Sequence, residues 1–180
     1  MYRTERLLMR EWRAADIEPF AVMCSDEEVM RYFPSVMTYD ECSAFIERTG
    51  AQFSKHGYGL WAIEVDGAFA GFTGLAHARF ETAFTPCVEV GWRLASWAWG
   101  KGYATEAAKE SLRIGFEEHN ISEIYSFTTQ TNTPSEAVMK RIGMKRREDL
   151  DFDHPNTPEW WGQPHIVYSI DRSTWGEYGY

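Results

Sequence analysis

The stretch Trp99-Gly100-Lys101-Gly102-Tyr103-Ala104-Thr105 constrains this chain more than any other. It joins a β-like run, Cys87–Leu94, to a helical run that begins without a break. Two glycines at a strand-to-helix junction let the backbone turn sharply and come close to another molecule. The first N–H groups of the helix have no partner within it, and the helix dipole is positive at that end. Two readings stand: a cradle for a phosphate or pyrophosphate, or a glycine turn chosen for geometry alone. Two familiar cradles do not fit. A P-loop needs Lys after its second glycine, and here Tyr103 follows Gly102. A dinucleotide fingerprint needs a third glycine at position 105, which is Thr. That fingerprint also follows the first strand of its unit, whereas several strands precede this one.

The surrounding pattern is that of one α/β domain. Leu7–Trp12 reads as a first strand. Asp16 can cap a helix from Ile17, with Ile17, Phe20, Ala21 and Cys24 on its inner stripe. Ser25–Glu28 and Thr38–Glu41 are capping-box patterns, and the helix after Thr38 carries Cys42, Phe45, Ile46, Thr49 and Phe53 on one side and stops near Gly57. The period then changes from 3.6 to two. Trp61, Ile63 and Val65 alternate with Ala62 and Glu64, Asp66-Gly67 is a hairpin turn, and Gly71 and Gly74 in the returning strand predict close backbone approach or a bulge. In Val88–Leu94, Val88, Val90 and Trp92 share one face and Glu89, Gly91 and Arg93 the other. A helix over about 103–119 packs through Ala104, Ala108, Leu112 and Phe116. Glu123–Thr129 reads as a central strand, Thr133–Gly143 as a short helix, and two late strands over about 144–149 and 165–170 enclose a polar loop. The expected architecture is a twisted, mixed, mostly antiparallel sheet of about seven strands with four or five helices, in one domain spanning 1–180.

Composition excludes several classes. With 180 residues the chain can bury a core. Its net charge of −9 and lack of any basic run argue against nucleic-acid binding and suit a cationic partner, amines included. No run approaches the roughly 20 apolar residues of a membrane span, and the charged start has no leader character. Cys24, Cys42 and Cys87 are odd in number and scattered, which fits reduced thiols in a cytoplasmic protein. No spacing matches a zinc or EF-hand site, so no metal is expected.

The junction resembles the coenzyme A pyrophosphate loop, Q/R-x-x-G-x-G/A, of the GNAT acetyltransferases. Trp99 stands at the Q/R position, Gly102 at the glycine and Ala104 at the last small residue; the Trp departs from the pattern. The resemblance continues in Glu89–Leu94, similar to the family's bulged fourth strand, and in Thr131–Lys145, where Asn132, Ser135, Gly143 and Met144 match its N-x-x-S/A…GF segment. The form WGKGYATEA is similar to the ribosomal-protein N-terminal acetyltransferase (RimJ/RimL-like) branch. The resemblance implies acetyl-CoA as cosubstrate, held by Trp92, Arg93, Leu94, Trp99, Gly100, Lys101, Gly102, Tyr103, Ala104, Thr105, Asn132 and Ser135. It implies acetyl transfer to a primary amine, on a protein N-terminus or a small molecule, and allows a homodimer.

An amine is mostly protonated at neutral pH, so a base or a water chain must take its proton. Glu89 is the first candidate, either as that base or as an ordinary solvent-facing strand carboxylate. Many relatives place an acidic Tyr where this chain has Met139, which has no proton to give. Ser135 is then either the group that protonates the leaving thiolate or an early-helix residue that only caps. The missing Tyr leaves a second function open, that of a catalytically silent acyl-CoA-binding module. The late loop holds Asp151, Asp153 and His154. It is read either as an acceptor-recognition loop, with Asp153 and His154 contacting the amine, or as a solvated turn. Tyr32 and Trp61 are the remaining candidates for the acceptor pocket, with core packing the alternative for each.

Overall fold

The computed structural model describes residues 1–177; positions 178–180, part of the domain expected over 1–180, lie outside the described residues. The element order is β1 (Tyr2–Arg3), β2 (Leu8–Arg10), α1 (Ile17–Ser25), α2 (Glu27–Met30), α3 (Tyr39–His56), β3 (Leu60–Val65), β4 (Ala68–His77), β5 (Val88–Leu94), α4 (Tyr103–Arg113), β6 (Glu123–Thr129), α5 (Thr133–Arg141), β7 (Lys145–Arg146), β8 (Phe152–Asp153), β9 (Pro164–Asp171) and α6 (Arg172–Glu177). The strands form one sheet in the order β1-β2-β3-β4-β5-β6-β9-β7, with β8 also on β9. Every pairing is antiparallel except β5 with β6. The strand count exceeds the expected seven because β1 and β8 are two-residue strands with too little sequence to show a period.

Two apolar clusters sandwich the sheet. The larger joins Leu75, Val90 and Ile124 of the sheet to Ala107, Ala108 and Leu112 of α4, Met139 and Ile142 at α5, and Trp175 of α6. The smaller packs Phe20, Met23 and Cys24 of α1 and Cys42 of α3 on Phe72. The alternation of β5 assigns its faces: Val88, Val90, Trp92 and Leu94 join the larger cluster, so Glu89 and Arg93 point to the other side. Asp66 and Gly67 both have positive φ, as a two-residue hairpin requires. A side chain on Gly71 would meet the Arg93 carbonyl at 2.1 Å, and one on Gly74 the Gly59 carbonyl at the same distance. Ile63 pairs with Gly71 and Glu64 with Phe69, so Ala70 is the extra residue of a bulge in β4.

Several local expectations change. Asp16 precedes α1 but makes no side-chain cap. Its carboxylate, 4% exposed, takes a bidentate pair from Arg10 at 2.7 and 2.8 Å and the Arg13 N–H at 2.7 Å. A buried guanidinium out-competes a helix amide for a carboxylate. Asp26, not Ser25, caps α2 through the Glu28 N–H. Thr38 and Glu41 do form the reciprocal box at α3, and Gly57 closes that helix in the left-handed region. The helix expected to reach residue 119 is α-helical only to Arg113 and ends in a wider π turn over Ile114–Glu118, with His119 N–H bonding to the Ile114 carbonyl. Met144–Asp149 yields only the two-residue β7, followed by a 3₁₀ turn.

Candidate active site

Strands β5 and β6 are parallel and pair only at Glu89 and Tyr125, near their starts. Beyond that point they diverge, leaving a gap between the sheet halves that opens toward both C-terminal ends. Each strand is followed by a helix N-terminus, α4 after β5 and α5 after β6, so both helix starts border the gap. Openings at the C-terminal ends of parallel strands are where α/β folds bind ligands.

The β5 side of the gap carries free backbone groups. The Ala95 N–H donates to the Ala70 carbonyl, and the Cys87 carbonyl accepts from Ala78. Odd-numbered residues therefore direct their backbone groups at β4, and even-numbered ones at β6 or the gap. The N–H groups of Trp92 and Leu94 face the gap past the last β6 partner. Arg93 does not: it pairs with Phe72 in the β4 ladder, and its guanidinium is buried against Cys24 Sγ (3.3 Å), Met37 Sδ (3.2 Å) and the Phe33 ring (4.1 Å). It leaves the cofactor set for that reason. The β4–β5 register is one to one, so the bulge expected in β5 is absent from that ladder; divergence from β6, not a bulge, frees its amides.

At the start of α4, Gly102 is the N-cap with φ 82° and no side chain caps the helix. The N–H groups of Tyr103, Ala104 and Thr105 thus have no helical partner, beside the equally left-handed Gly100. Trp99 turns away from this cradle: its Nε1 donates to the Leu94 carbonyl at 2.8 Å, fixing the loop to the end of β5. Lys101 is exposed and lies over the Trp97 ring. A clamp that sequence reading missed holds the loop from behind. Glu106 accepts from Thr4 Oγ1 (2.6 Å), the Arg6 N–H (2.9 Å) and Arg6 Nε (2.7 Å), while Arg6 also donates to the Lys101 carbonyl (2.7 Å). Across the gap Asn132 caps α5, accepting from the Ser135 N–H at 3.2 Å and donating to Thr128 Oγ1 at 2.9 Å. Ser135 is half-buried on the first turn. Met139, one turn on, is 1% exposed in the core. These donors, spread along β5 and across the cradle, suit an extended molecule with amides along its arm and a pyrophosphate at its end.

Glu89 lies at the apex where β5 and β6 part. Its side chain lines a cavity of about 290 Å³ between α3 and the sheet, with Arg48, His77, Arg79, Phe80, Phe127 and His154 in the wall. It makes no hydrogen bond or ion pair to the described residues, and burial pushes its pKa up to about 7. His154 reaches the cavity because Phe152 and His154 share the inward face of β8 and its extension: Phe80 stacks on Phe152 and meets the His154 ring at 4.7 Å. Asp153, between them, is exposed and outside the cavity wall. It is removed from the acceptor set because strand alternation turns it outward. Asp151 is an ion-pair partner of Arg146. Tyr32 lies under the Arg31 guanidinium, outside the cavity, and Trp61 is 2% exposed in the core against Tyr2 and Phe53. Both leave the acceptor set. Burial, with His165 nearby, lowers the His154 pKa to about 4, and burial with His56 lowers that of His77. Tyr58 Oη and His77 Nε2 share a hydrogen bond of 2.9 Å.

Residues 6–145 match the family model described as Acetyltransferase (GNAT) domain. This chain belongs to the GNAT acetyltransferase family. It is 31% identical over 174 residues to the uncharacterized N-acetyltransferase YnaD of Bacillus subtilis (strain 168), covering 96% of this chain and 97% of that one. It is 30% identical over 157 residues to the FsC-acetyl coenzyme A-N(2)-transacetylase of Aspergillus fumigatus, covering 83% and 67%. The crystal structure of a GNAT-family acetyltransferase from Bacillus anthracis superposes with a TM-score of 0.77 at 29% identity, covering 95% and 98%. Among the described residues, no group of three or more His, Cys, Asp or Glu side chains is arranged to hold a metal, and no helix is long and apolar enough to cross a membrane. The three cysteines of this GNAT domain are buried free thiols.

Proposed function

We propose that this GNAT domain, acting as one unit over residues 1–180, transfers an acetyl group from acetyl-CoA to a primary amine by direct attack within a ternary complex. The observation that carries this reading is Glu89. It is an isolated carboxylate with a pKa near 7, at the point where the acceptor cavity reaches the gap between β5 and β6. A general base works best when its pKa lies near the operating pH.

Acetyl-CoA supplies the acetyl group as an activated thioester. The protein's residues do the rest. The free N–H groups of residues 103–105 and the α4 dipole hold the pyrophosphate; the N–H groups of Trp92 and Leu94 orient the pantetheine arm and its carbonyl. Asn132 fixes the first turn of α5. In the cavity Glu89 takes a proton from the ammonium, directly or through water. The free amine forms its N–C bond to the carbonyl carbon, the C–S bond breaks, and Ser135 passes its hydroxyl proton to the departing thiolate while regaining, through water, the proton that the amide nitrogen gives up. The acidic surface favours the approach of a cationic acceptor. The WGKGYATEA loop followed by Asn132 and Ser135 supports placement in the RimJ/RimL-like branch.

A second reading, a silent acyl-CoA-binding module, draws support from Met139, whose buried thioether occupies the place of the family's Tyr acid. Thiol release from acetyl-CoA, followed across a panel of peptide N-termini, amino acids, polyamines and aminoglycosides, separates the two. We expect turnover with at least one amine. Tight coenzyme A binding without turnover on any of them would favour the module.

A further inference from the structure

The acceptor cavity has a charge pattern that the family resemblance does not supply. Arg48 projects from α3 and Arg79 from the segment after β4, so they reach the cavity from two different elements. Both are exposed at the cavity mouth, and neither has an ion-pair or hydrogen-bond partner among the described residues. Several other cations of this acidic chain are instead held by acidic neighbours: Arg6 by Glu106, Arg10 by Asp16 and Glu64, Arg113 by three glutamates, Arg146 by Asp151, Arg147 by Asp149. The cavity wall contains one carboxylate, Glu89, and its two histidines are neutral at neutral pH because burial lowers both. The remaining wall combines the rings of Phe45, Phe80 and Phe127 with Leu60, Ala76 and the polar Thr49, Gln52 and Asn156.

We infer that the acceptor is a small primary amine that also carries a carboxylate, with an apolar or aromatic body: an α-amino acid or a close analogue. Glu89 faces the amine, the phenylalanine rings cover the apolar part, and Arg48 and Arg79 hold the carboxylate. An arginine fork suits a carboxylate because it donates two parallel hydrogen bonds. A volume of about 290 Å³ suits a molecule of this size. The inference rests on the acetyl-transfer reading above and names the acceptor for it.

The test pairs each amino acid with its own carboxamide: phenylalanine, methionine and leucine against their amides. The amides are intrinsically the better nucleophiles at neutral pH, because the neighbouring carboxylate raises the amine pKa of the acids. A preference for the acid must therefore come from the protein. We expect kcat/KM for at least one acid to exceed that of its amide by about tenfold or more, each tenfold being about 1.4 kcal/mol. In the Arg48→Gln/Arg79→Gln double variant that preference should fall to unity or invert in favour of the amide, through a raised KM for the acid. A Lys145→Gln variant, which removes one exposed cation on β7, should keep it. Turnover of the amides at rates equal to or above the acids, or a preference that survives the double substitution, overturns the inference while leaving acetyl transfer intact. Titration calorimetry in the presence of coenzyme A distinguishes the other failure. An acid that binds, binds less well to the double variant, and is never acetylated would support the carboxylate site and defeat the acetyl-transfer reading. Neither binding nor turnover of any acid overturns the inference.

Discussion

At the residue scale, Glu89 owes its properties to isolation. Burial without a partner raises its pKa from the ordinary carboxylate range to about 7. Activity should therefore rise with pH as Glu89 deprotonates, and log kcat/KM should bend near pH 7. Glu89→Gln should lower the rate by about 10²–10⁴ and abolish that bend; a variant with near-wild-type kcat and an unchanged pH profile would remove Glu89 from the mechanism. The same shift affects stability. The unfolded carboxyl ionises near pH 4.5 and the folded one near 7, so its contribution to stability is present below pH 4.5 and lost as pH rises through 7. Glu89→Gln should accordingly melt higher than wild type at pH 8, by a few degrees, and differ little at pH 5; calorimetry at the two pH values reads this directly. Arg10 and Asp16 present the opposite case. Burial alone would raise the Asp16 pKa, but the hydrogen bonds from Arg10 and Arg13 win and lower it. Asp16→Ala strands a buried guanidinium and should cost about 3–5 kcal/mol in urea denaturation, whereas Asp16→Ala with Arg10→Met should recover part of the loss.

At the scale of elements, the start of α4 is decided by Gly102. Its φ of 82° is disfavoured for any side chain, and a Cβ there would stand 3.3 Å from the Arg6 guanidinium. Gly102→Val should distort the cradle amides and weaken coenzyme A binding by about tenfold or more, about 1.4 kcal/mol. Unchanged affinity in a folded Gly102→Val protein would show that the cradle lies elsewhere. The clamp behind the loop joins the chain's first residues to this site: Thr4 and Arg6 reach Glu106 on α4. Strand β8 shows how little sequence can decide a site residue. Phe152 and His154 point inward and Asp153 outward, so one position of register separates a cavity residue from a surface one.

At the scale of the molecule, the proposed function depends on two parallel neighbours that share one pair and then separate. The gap opens beside the α4 and α5 N-termini, while the cavity lined by Glu89 lies between α3 and the sheet. Glu89 is where they meet. A ligand that spans both halves of the sheet binds only the folded state, so coenzyme A at about 100 times its Kd should stabilise the protein by about 2.7 kcal/mol. A thermal-shift titration checks this: the melting temperature should rise with coenzyme A concentration, and rise only about half as far for Gly102→Val at the same concentrations, since a tenfold weaker Kd leaves about 1.4 kcal/mol of stabilisation.

The order of the longer strands and helices, the Asp66-Gly67 hairpin, the Thr38–Glu41 cap and the glycine loop were legible in the sequence, because each rests on neighbours within about four residues, whereas the two-residue β1 and β8 and the closing helix α6 were not. The faces of β5 were legible too, since a period of two needs no partner to be read. Contacts between distant segments were not. Nothing local shows that Asp16 prefers Arg10 to its own helix, that Trp61 lies in the core, or that Asp153 faces out. Nor does any spacing link Arg48 on α3 with Arg79 after β4; they share a cavity only because the sheet brings α3 over Glu89. The sequence determined which backbone could cradle a pyrophosphate. The tertiary structure decided which side chains line the cavity around Glu89, because burial and charge pairing depend on what folds against a residue and not on what precedes it.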